Sequence, residues 1–291
     1  MNIGIIGLGL IGGSIAKAIR KRTQDRVFVY DKDEETMKKA RLLEIYDEVL
    51  CKENAKELDI LVICVYPRAI EKALEEWVGC LRDGAIVVDC GGNKRRIVDK
   101  MIELKKEYPN LEFVGGHPMA GREFSGISHA THTLFEKCSV LITPVKNEIQ
   151  VLYAVKKFFL SIGAERIVIT TPEVHDEMIA YTSQLAHIVS SAYVKSDLAE
   201  KHYGYSAGSF RDMTRVAKIN ADMWSEIMID NKDYLVSQLE VLEKNIKDIK
   251  VALKEGDQER VKTLLNEGNE IKNKVEENRV RKLNDAGFKG E

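Results

Sequence analysis

His117 stands directly behind two glycines, where a short apolar run stops, with a proline behind it, in EFVGGHPMAGREFSG (112–126). A core histidine rarely needs that much backbone freedom. Glycines at this density let a chain turn tightly and approach a ligand. More ionisable residues lie in TPEVHDEMIAYTSQLAHIVSSA (171–192). A helix over 173–195, begun by Pro172, places Asp176, Ala180, Ser183 and His187 on one stripe, because offsets of 4, 7 and 11 return to nearly the same angle. The opposite stripe is apolar: Met178, Leu185, Ile188, Val189 and Ala192. A solvated face and a cleft wall both fit the ionisable stripe. In AGSFRDMTRVAK, Ser209 and Asp212 have the spacing of a capping box, opening a short helix that carries Arg211 and Arg215. An Asp212–Arg215 surface pair fits the same spacing.

The N-terminus carries a different chemistry. The apolar run NIGIIG enters Gly7-Leu8-Gly9-Leu10-Ile11-Gly12, a helical pattern follows, and a second strand, RVFVYD, ends in Asp31 about twenty residues on. Gly7 permits the tight turn, Gly9 lets the backbone approach a pyrophosphate, and Gly12 lets helix and strand pack closely. The helix N-terminus attracts the phosphates. Asp31 would accept hydrogen bonds from the ribose hydroxyls and repel a 2′-phosphate, which favours NAD over NADP. The cofactor-binding candidates are Gly7, Gly9, Leu10, Ile11, Gly12 and Asp31, with Gly92 in the segment after the strand ending at Asp89; no metal set is expected.

These residues need elements to hold them. Strand-like runs at 59–67, 84–92, 111–116, 139–144 and 166–170 alternate with helical patterns at 68–79, 94–107 and 147–161. Such alternation predicts an α/β fold with a Rossmann-type, doubly wound, mostly parallel sheet, whose ligands gather beyond the carboxyl ends of its strands. His117 is expected just past one such end. After Pro172 the strand signals stop, so an all-helical C-terminal substrate and dimerisation domain is expected, with domains at 1–171 and 172–291. From Trp224 the apolar positions continue through Met228, Leu235, Leu239, Leu242, Ile246, Ile249 and Leu253 in near-heptad spacing, broken at Gly256-Asp257, and a further helix is expected to fold back. A homodimer through this half is expected. The terminal NDAGFKGE is expected to fray.

The 291 residues suit one large or two ordinary domains, and a net charge of -2 gives no reason to expect nucleic acid or a membrane surface as partner. No apolar stretch approaches the roughly 18 residues of a membrane span. The start lacks the basic region of a signal peptide, and five cysteines without CxxC spacing read as small hydrophobes, so a cytoplasmic protein is expected.

The sequence also resembles the prephenate/arogenate dehydrogenases of tyrosine biosynthesis, over nearly its whole length. The resemblance rests on GLGLIGGSIAKAI, VVDCGGNK (87–94), GGHPMAGREFSG (115–126), the 171–192 segment and GSFRDMTRVAKINADMW (208–224). It implies NAD-dependent oxidative decarboxylation of prephenate to 4-hydroxyphenylpyruvate. His117 matches the family's catalytic histidine, which takes the proton of the 4-hydroxyl as hydride leaves C4. Arg215 matches the arginine that grips a substrate carboxylate. His187, Gly208 and Trp224 fall on positions around the substrate. Asp176, beside His175, matches a polar position and is expected to orient His187. Glu123 matches a position near the pocket mouth.

Two departures from the family stand out. Gly92 replaces a serine common in relatives; if that hydroxyl helps hold the histidine and nicotinamide, water or the backbone must substitute here, or the arrangement differs. Arg122 stands where a small polar residue is frequent, as a second cation at the cleft or a surface arginine. The length leaves no room for the regulatory domain or fused mutase of some relatives, so any feedback by tyrosine is expected at or near the active site. Arogenate as substrate, or both substrates, remains open. More remote are a hydroxyacid dehydrogenase, whose lysine motif is not matched at Lys195 or Lys218, and a non-catalytic NAD sensor.

Overall fold

The computed structural model describes residues 1–121 and 124–285; Arg122, Glu123 and the last six residues of the stretch expected to fray lie outside the described residues. The first half is built from β1 (Asn2–Ile6), α1 (Leu10–Arg22), β2 (Arg26–Tyr30), α2 (Glu34–Leu42), β3 (Glu48–Val49), β4 (Ile60–Ile63) and α3 (Pro67–Trp77). It continues through β5 (Ile86–Asp89), α4 (Arg95–Glu107), β6 (Glu112–Pro118), β7 (Ser139–Pro144), α5 (Ile149–Ser161) and β8 (Arg166–Ile169). Among the described residues these strands form one eight-stranded sheet, ordered β3-β2-β1-β4-β5-β6-β7-β8. All neighbours pair in parallel except β6 with β7.

The strand sequences explain the two-sided core. Successive side chains alternate between faces. Ile3, Ile5, Val27, Val29, Ile60, Val62 and Val88 join α1 and α5 in one apolar cluster. Ile6, Phe28, Leu61, Ile63, Val87 and Phe113 join α3 and α4 in the other. Because both faces are covered, the strands read as continuous apolar runs rather than alternating ones.

The structure corrects the expectation that the strand before His117 stops at Gly116. β6 runs on through His117 and Pro118 because it pairs antiparallel with β7, His117 lying opposite Leu141. Its parallel pairing with β5 ends earlier, at Val88 and Val114. The paired glycines therefore serve close packing and not a turn. A Cβ on Gly115 would sit 2.0 Å from the Thr143 hydroxyl oxygen, and one on Gly116 would sit 2.6 Å from the Asp89 carbonyl oxygen.

The single helix expected over 173–195 is instead α6 (Pro172–Ile179), a π-helical turn (Ala180–Gln184) and α7 (Leu185–Tyr193). The Thr171 hydroxyl caps α6 by accepting from the Val174 amide at 3.3 Å. A π turn adds a residue to the helical repeat, so a 3.6-residue wheel loses phase across it. The buried face carries His175, Asp176, Ile179, Ala180, Gln184, Leu185 and Ser190, whereas Met178 and Ala192 of the expected apolar stripe are exposed.

Next come α8 (Gly208–Thr214), α9 (Ala221–Asp230), α10 (Lys232–Glu255) and α11 (Gln258–Asp285). α8 starts at Gly208 behind Ala207 with no side-chain cap, so the expected Ser209–Asp212 capping box does not form and Arg215 sits just past the helix end. Packing divides the chain into two units, Met1–Leu235 and Val236–Glu291. In the second unit α10 and α11 break at Gly256, whose φ of 68° suits glycine. Ile246, Leu253, Leu265, Ile271 and Val275 of this unit are each more than half exposed in the single chain. No described helix is long and apolar enough to cross a membrane.

Candidate active site

The turn between β1 and α1 has the backbone its glycines require. Gly7 has φ of 89°, and a Cβ there would lie 2.7 Å from the Cys64 carbonyl oxygen. A Cβ on Gly12 would fall 1.9 Å from the Gly7 carbonyl oxygen. Gly9 differs: a Cβ would meet nothing within 4 Å, so this position faces open space where a ligand's phosphates can approach. Gly9 caps α1, whose first turn, including Leu10 and Ile11, holds no acidic residue to oppose an anion. Asp31 accepts from the Leu8 amide at 2.7 Å and the Asp33 amide at 2.9 Å, one bond to each oxygen, and its remaining lone pairs suit ribose hydroxyls. The turn fits a dinucleotide.

His117 is seated by a buried polar chain. Its Nδ1 lies 2.9 Å from Nε2 of His175, whose Nδ1 lies 2.7 Å from Oδ1 of Asp176. His175 and Asp176 are each 1% exposed. The carboxylate is held from α4: Oδ1 accepts from the Lys94 amide at 2.7 Å, and Oδ2 accepts from the Arg95 amide at 3.0 Å and Arg95 Nε at 3.2 Å. Burial pushes the Asp176 carboxyl up, but the bonds from His175 and these amides outweigh it and hold it below the usual range. Burial lowers both imidazoles, His117 well below 6.5, with His175 and Lys94 as further causes at His117. Both rings are therefore neutral near pH 7. Among the described residues Nε2 of His117 has no hydrogen-bond partner.

Lys94 completes the floor. Its ammonium is fully buried against Asp89, whose carboxylate also accepts from the Gly91 amide at 2.7 Å and the Gly116 amide at 3.1 Å. The end of β5 is thereby tied to the strand that carries His117. A second buried set braces the helices: Gln184 donates to Asn93 at 2.8 Å, Asn231 donates to Gln184 at 2.9 Å and to the Asp176 carbonyl at 2.8 Å, and Asn93 donates to the Ile227 carbonyl at 2.7 Å. Arg95 grips Asp233 in a two-pronged pair that holds Asp233 down to about 2.

His187 belongs to a different group, which corrects the expectation that Asp176 orients it. Asp176 is taken up by His175 and α4. His187 packs against Trp224 with ring centroids 3.8 Å apart and planes tilted by 45°, and its Nδ1 donates to the Val216 carbonyl at 3.0 Å. Burial lowers its pKa, and the Arg215 charge lowers it further. His187, Trp224 and Arg215 thus form one ledge, with Arg215 exposed. Gly208 lies at the exposed start of α8. α9 links ledge and seat, since Trp224 holds His187 while Ile227, one turn on, meets Asn93. Ile227 also lies 3.5 Å from where a Cβ on Gly92 would stand.

Sequence reasoning missed His175, Lys94, Asn93, Gln184 and Asn231 as parts of the site. His175 and Lys94 lay inside the segments that carried the family resemblance, which was a usable signal. Gln184 was hidden by the π turn.

A Rossmann-type sheet with a phosphate-ready glycine turn, and a neutral imidazole carried near the carboxyl end of β6, defines a dinucleotide-dependent oxidoreductase. The family model described as the prephenate dehydrogenase nucleotide-binding domain matches residues 15–168, and the prephenate dehydrogenase dimerization domain matches 171–267. The chain belongs to the prephenate dehydrogenase family. It is 30% identical to a prephenate dehydrogenase of Lactococcus lactis over 94% of this chain and 77% of that one. It is 32% identical to a cyclohexadienyl dehydrogenase of Zymomonas mobilis over 87% of this chain and 88% of that one. Among solved structures, the prephenate dehydrogenase of A. aeolicus in complex with hydroxyphenyl propionate and NAD+ superposes with a TM-score of 0.82, at 27% identity over 94% of this chain and 98% of that one.

Proposed function

We propose that this protein is an NAD-dependent prephenate dehydrogenase that converts prephenate to 4-hydroxyphenylpyruvate and carbon dioxide. The observation that carries the reading is the seat of His117: a neutral imidazole fixed through one nitrogen, with the other unpartnered. Bound NAD supplies the hydride acceptor. Gly9, with the first turn of the helix at Leu10 and Ile11, would hold its pyrophosphate while Gly7 and Gly12 shape the turn; Asp31 would hold its ribose, and Gly92 would line the crevice. Nε2 of His117 accepts the proton of the substrate 4-hydroxyl as hydride leaves C4. The ring carboxylate then departs as carbon dioxide, and aromatisation drives the step. Arg215 holds a substrate carboxylate through its planar fork, with His187, Trp224 and Gly208 around the substrate. Glu123 and Arg122 lie outside the described residues and enter this reading only through the family resemblance, as candidate substrate contacts.

Residues 1–171 serve the cofactor and 172–291 the substrate and dimerisation. A homodimer is supported by the dimerization-domain match and by the exposed apolar residues of α10 and α11. Five unpaired cysteines suit the reducing cytoplasm. The Zymomonas relative's name favours a second reading, use of arogenate as well. One assay tests both: NADH or NADPH formation with prephenate or arogenate, each with NAD or NADP. Turnover of prephenate with NAD is expected to dominate; no reduced cofactor from either substrate would overturn the proposal.

A further inference from the structure

The buried chain that ends at His117 also fixes which of its nitrogens carries the proton. An ionised carboxylate can only accept hydrogen bonds, so at the Asp176 contact His175 donates from Nδ1. A neutral imidazole with Nδ1 protonated presents a lone pair at Nε2. At the His117 contact, therefore, His175 Nε2 accepts and His117 Nδ1 donates. That leaves the lone pair of His117 on Nε2, the nitrogen with no partner among the described residues. We infer that His175 and Asp176 form a two-step positioning relay that locks His117 in the one tautomer able to act as a base toward the crevice.

The surroundings keep the relay in this sense. Asp176 is ionised because His175 and the amides of Lys94 and Arg95 bond to it. The charged and titratable groups that face the relay are Lys94 and Asp89 from the β5–α4 region, Arg95 from α4, and Asp176 from α6. Lys94 and burial both disfavour an extra proton on either ring, so the relay carries tautomer information without resting charge. When His117 takes up a proton at Nε2, its Nδ1 still donates to His175, and the Asp176 charge stands behind that contact. The relay also answers the departure at Gly92: the imidazole is held from the His175 side without a hydroxyl at that position.

This inference rests on the base role of His117 for its catalytic meaning, but the tautomer itself can be measured separately. The probe is the full-length protein with 15N-labelled histidine, read by two-bond 1H–15N correlation near pH 7.5, with His117 identified by the signals lost in His117→Asn. The expected pattern is a protonated Nδ1 and bare Nε2 for His117. Asp176→Asn should invert it. An amide placed with its NH2 toward Arg95 would oppose two donors. Turned toward His175 it opposes only the Lys94 amide, because His175 can switch tautomer, and the switch then leaves His117 protonated on Nε2. Turnover should fall by about 10²–10⁴-fold in protein that remains folded, with NAD affinity unchanged, as a wrong-tautomer base predicts.

His175→Gln, whose amide oxygen can accept from His117 Nδ1, should retain at least about tenfold more activity than His175→Leu. It should also keep the acid limb of the pH profile. A wild-type His117 protonated on Nε2, or an Asp176→Asn protein with the pattern unchanged, would overturn the relay. So would equal loss in the two His175 variants. If Asp176→Asn fails to fold, the wild-type spectrum alone decides. Absence of prephenate turnover alongside the expected spectrum would instead count against the functional proposal and leave the relay standing.

Discussion

The two halves of the site are held in opposite ways. The His117 seat is buried, and each side-chain nitrogen of His175 and side-chain oxygen of Asp176 has a named partner at 2.7–3.2 Å. On the ledge His187 is half-buried, held by a tilted ring contact with Trp224 and a hydrogen bond to the Val216 carbonyl, and Arg215 is exposed. The difference matches the two tasks. Proton transfer demands one geometry and one tautomer, which a low-dielectric, fully bonded seat enforces. In the proposed reading, gripping a substrate carboxylate needs a planar cation that incoming substrate can reach, which an exposed arginine supplies.

If that contrast holds, variants on the two sides should fail differently. His117→Asn should lower kcat by about 10²–10⁴-fold with little change in NAD affinity, measured by steady-state kinetics and cofactor titration. Ordinary turnover in this variant would remove the base role. Lys94→Met should act through folding, because it leaves Asp89 as an unpaired buried charge. A loss of about 3–5 kcal/mol in denaturant unfolding is expected, and a variant as stable as the parent would show that the buried pair does not brace the seat.

On the ledge, Arg215→Gln should raise KM for the dicarboxylate by about 10–100-fold while kcat stays within a few-fold, the loss of one charge-assisted contact. A fall confined to kcat would place Arg215 in the chemistry instead. Smallest of all, Gly92→Ser should alter stability by about 0.5 kcal/mol or less, since its Cβ meets Ile227 at an ordinary 3.5 Å. A large gain in kcat from the added hydroxyl would mean that His175 holds the imidazole incompletely.

The contrast has a pH signature too. His117, His175 and His187 all titrate below 6.5 in the folded chain. The unfolded chain therefore binds more protons once the pH drops below about 6.5. The stability these groups confer is complete above that value and is lost as pH falls through their folded pKa values. Melting temperature should accordingly drop on acidification from neutrality. The acid limb of kcat/KM should lie below pH 6.5, since His117 must be neutral to act. A limb centred at or above 6.5 would contradict the buried seat.

Legibility followed chain distance. The cofactor turn could be read because β1, the three glycines and α1 are contiguous, and Asp31 is one short strand away. The sheet could be read because strands buried on both faces announce themselves as apolar runs. The seat could not. His117 and His175 are 58 residues apart, Lys94 and Asp176 are 82 apart, and Asn93 and Gln184 are 91 apart. The helical wheel paired Asp176 with His187 because nothing in the pattern announces the π turn between them. The capping box at Ser209 failed because the helix begins two residues earlier than that cap requires, at Gly208 behind Ala207.

The amino-acid sequence by itself determined the alternating α/β plan and the dinucleotide turn, and it pointed to the histidine and arginine proposed for the site, because each is written in local spacing or in contiguous motifs. Only the tertiary structure decided that His175 is the neighbour of His117, that Asp176 serves it and not His187, and that Lys94 lies beneath them. Buried hydrogen bonds form where the fold brings donors and acceptors together, and desolvation makes those few partners obligatory. No local pattern records which partner, dozens of residues away, each one will meet.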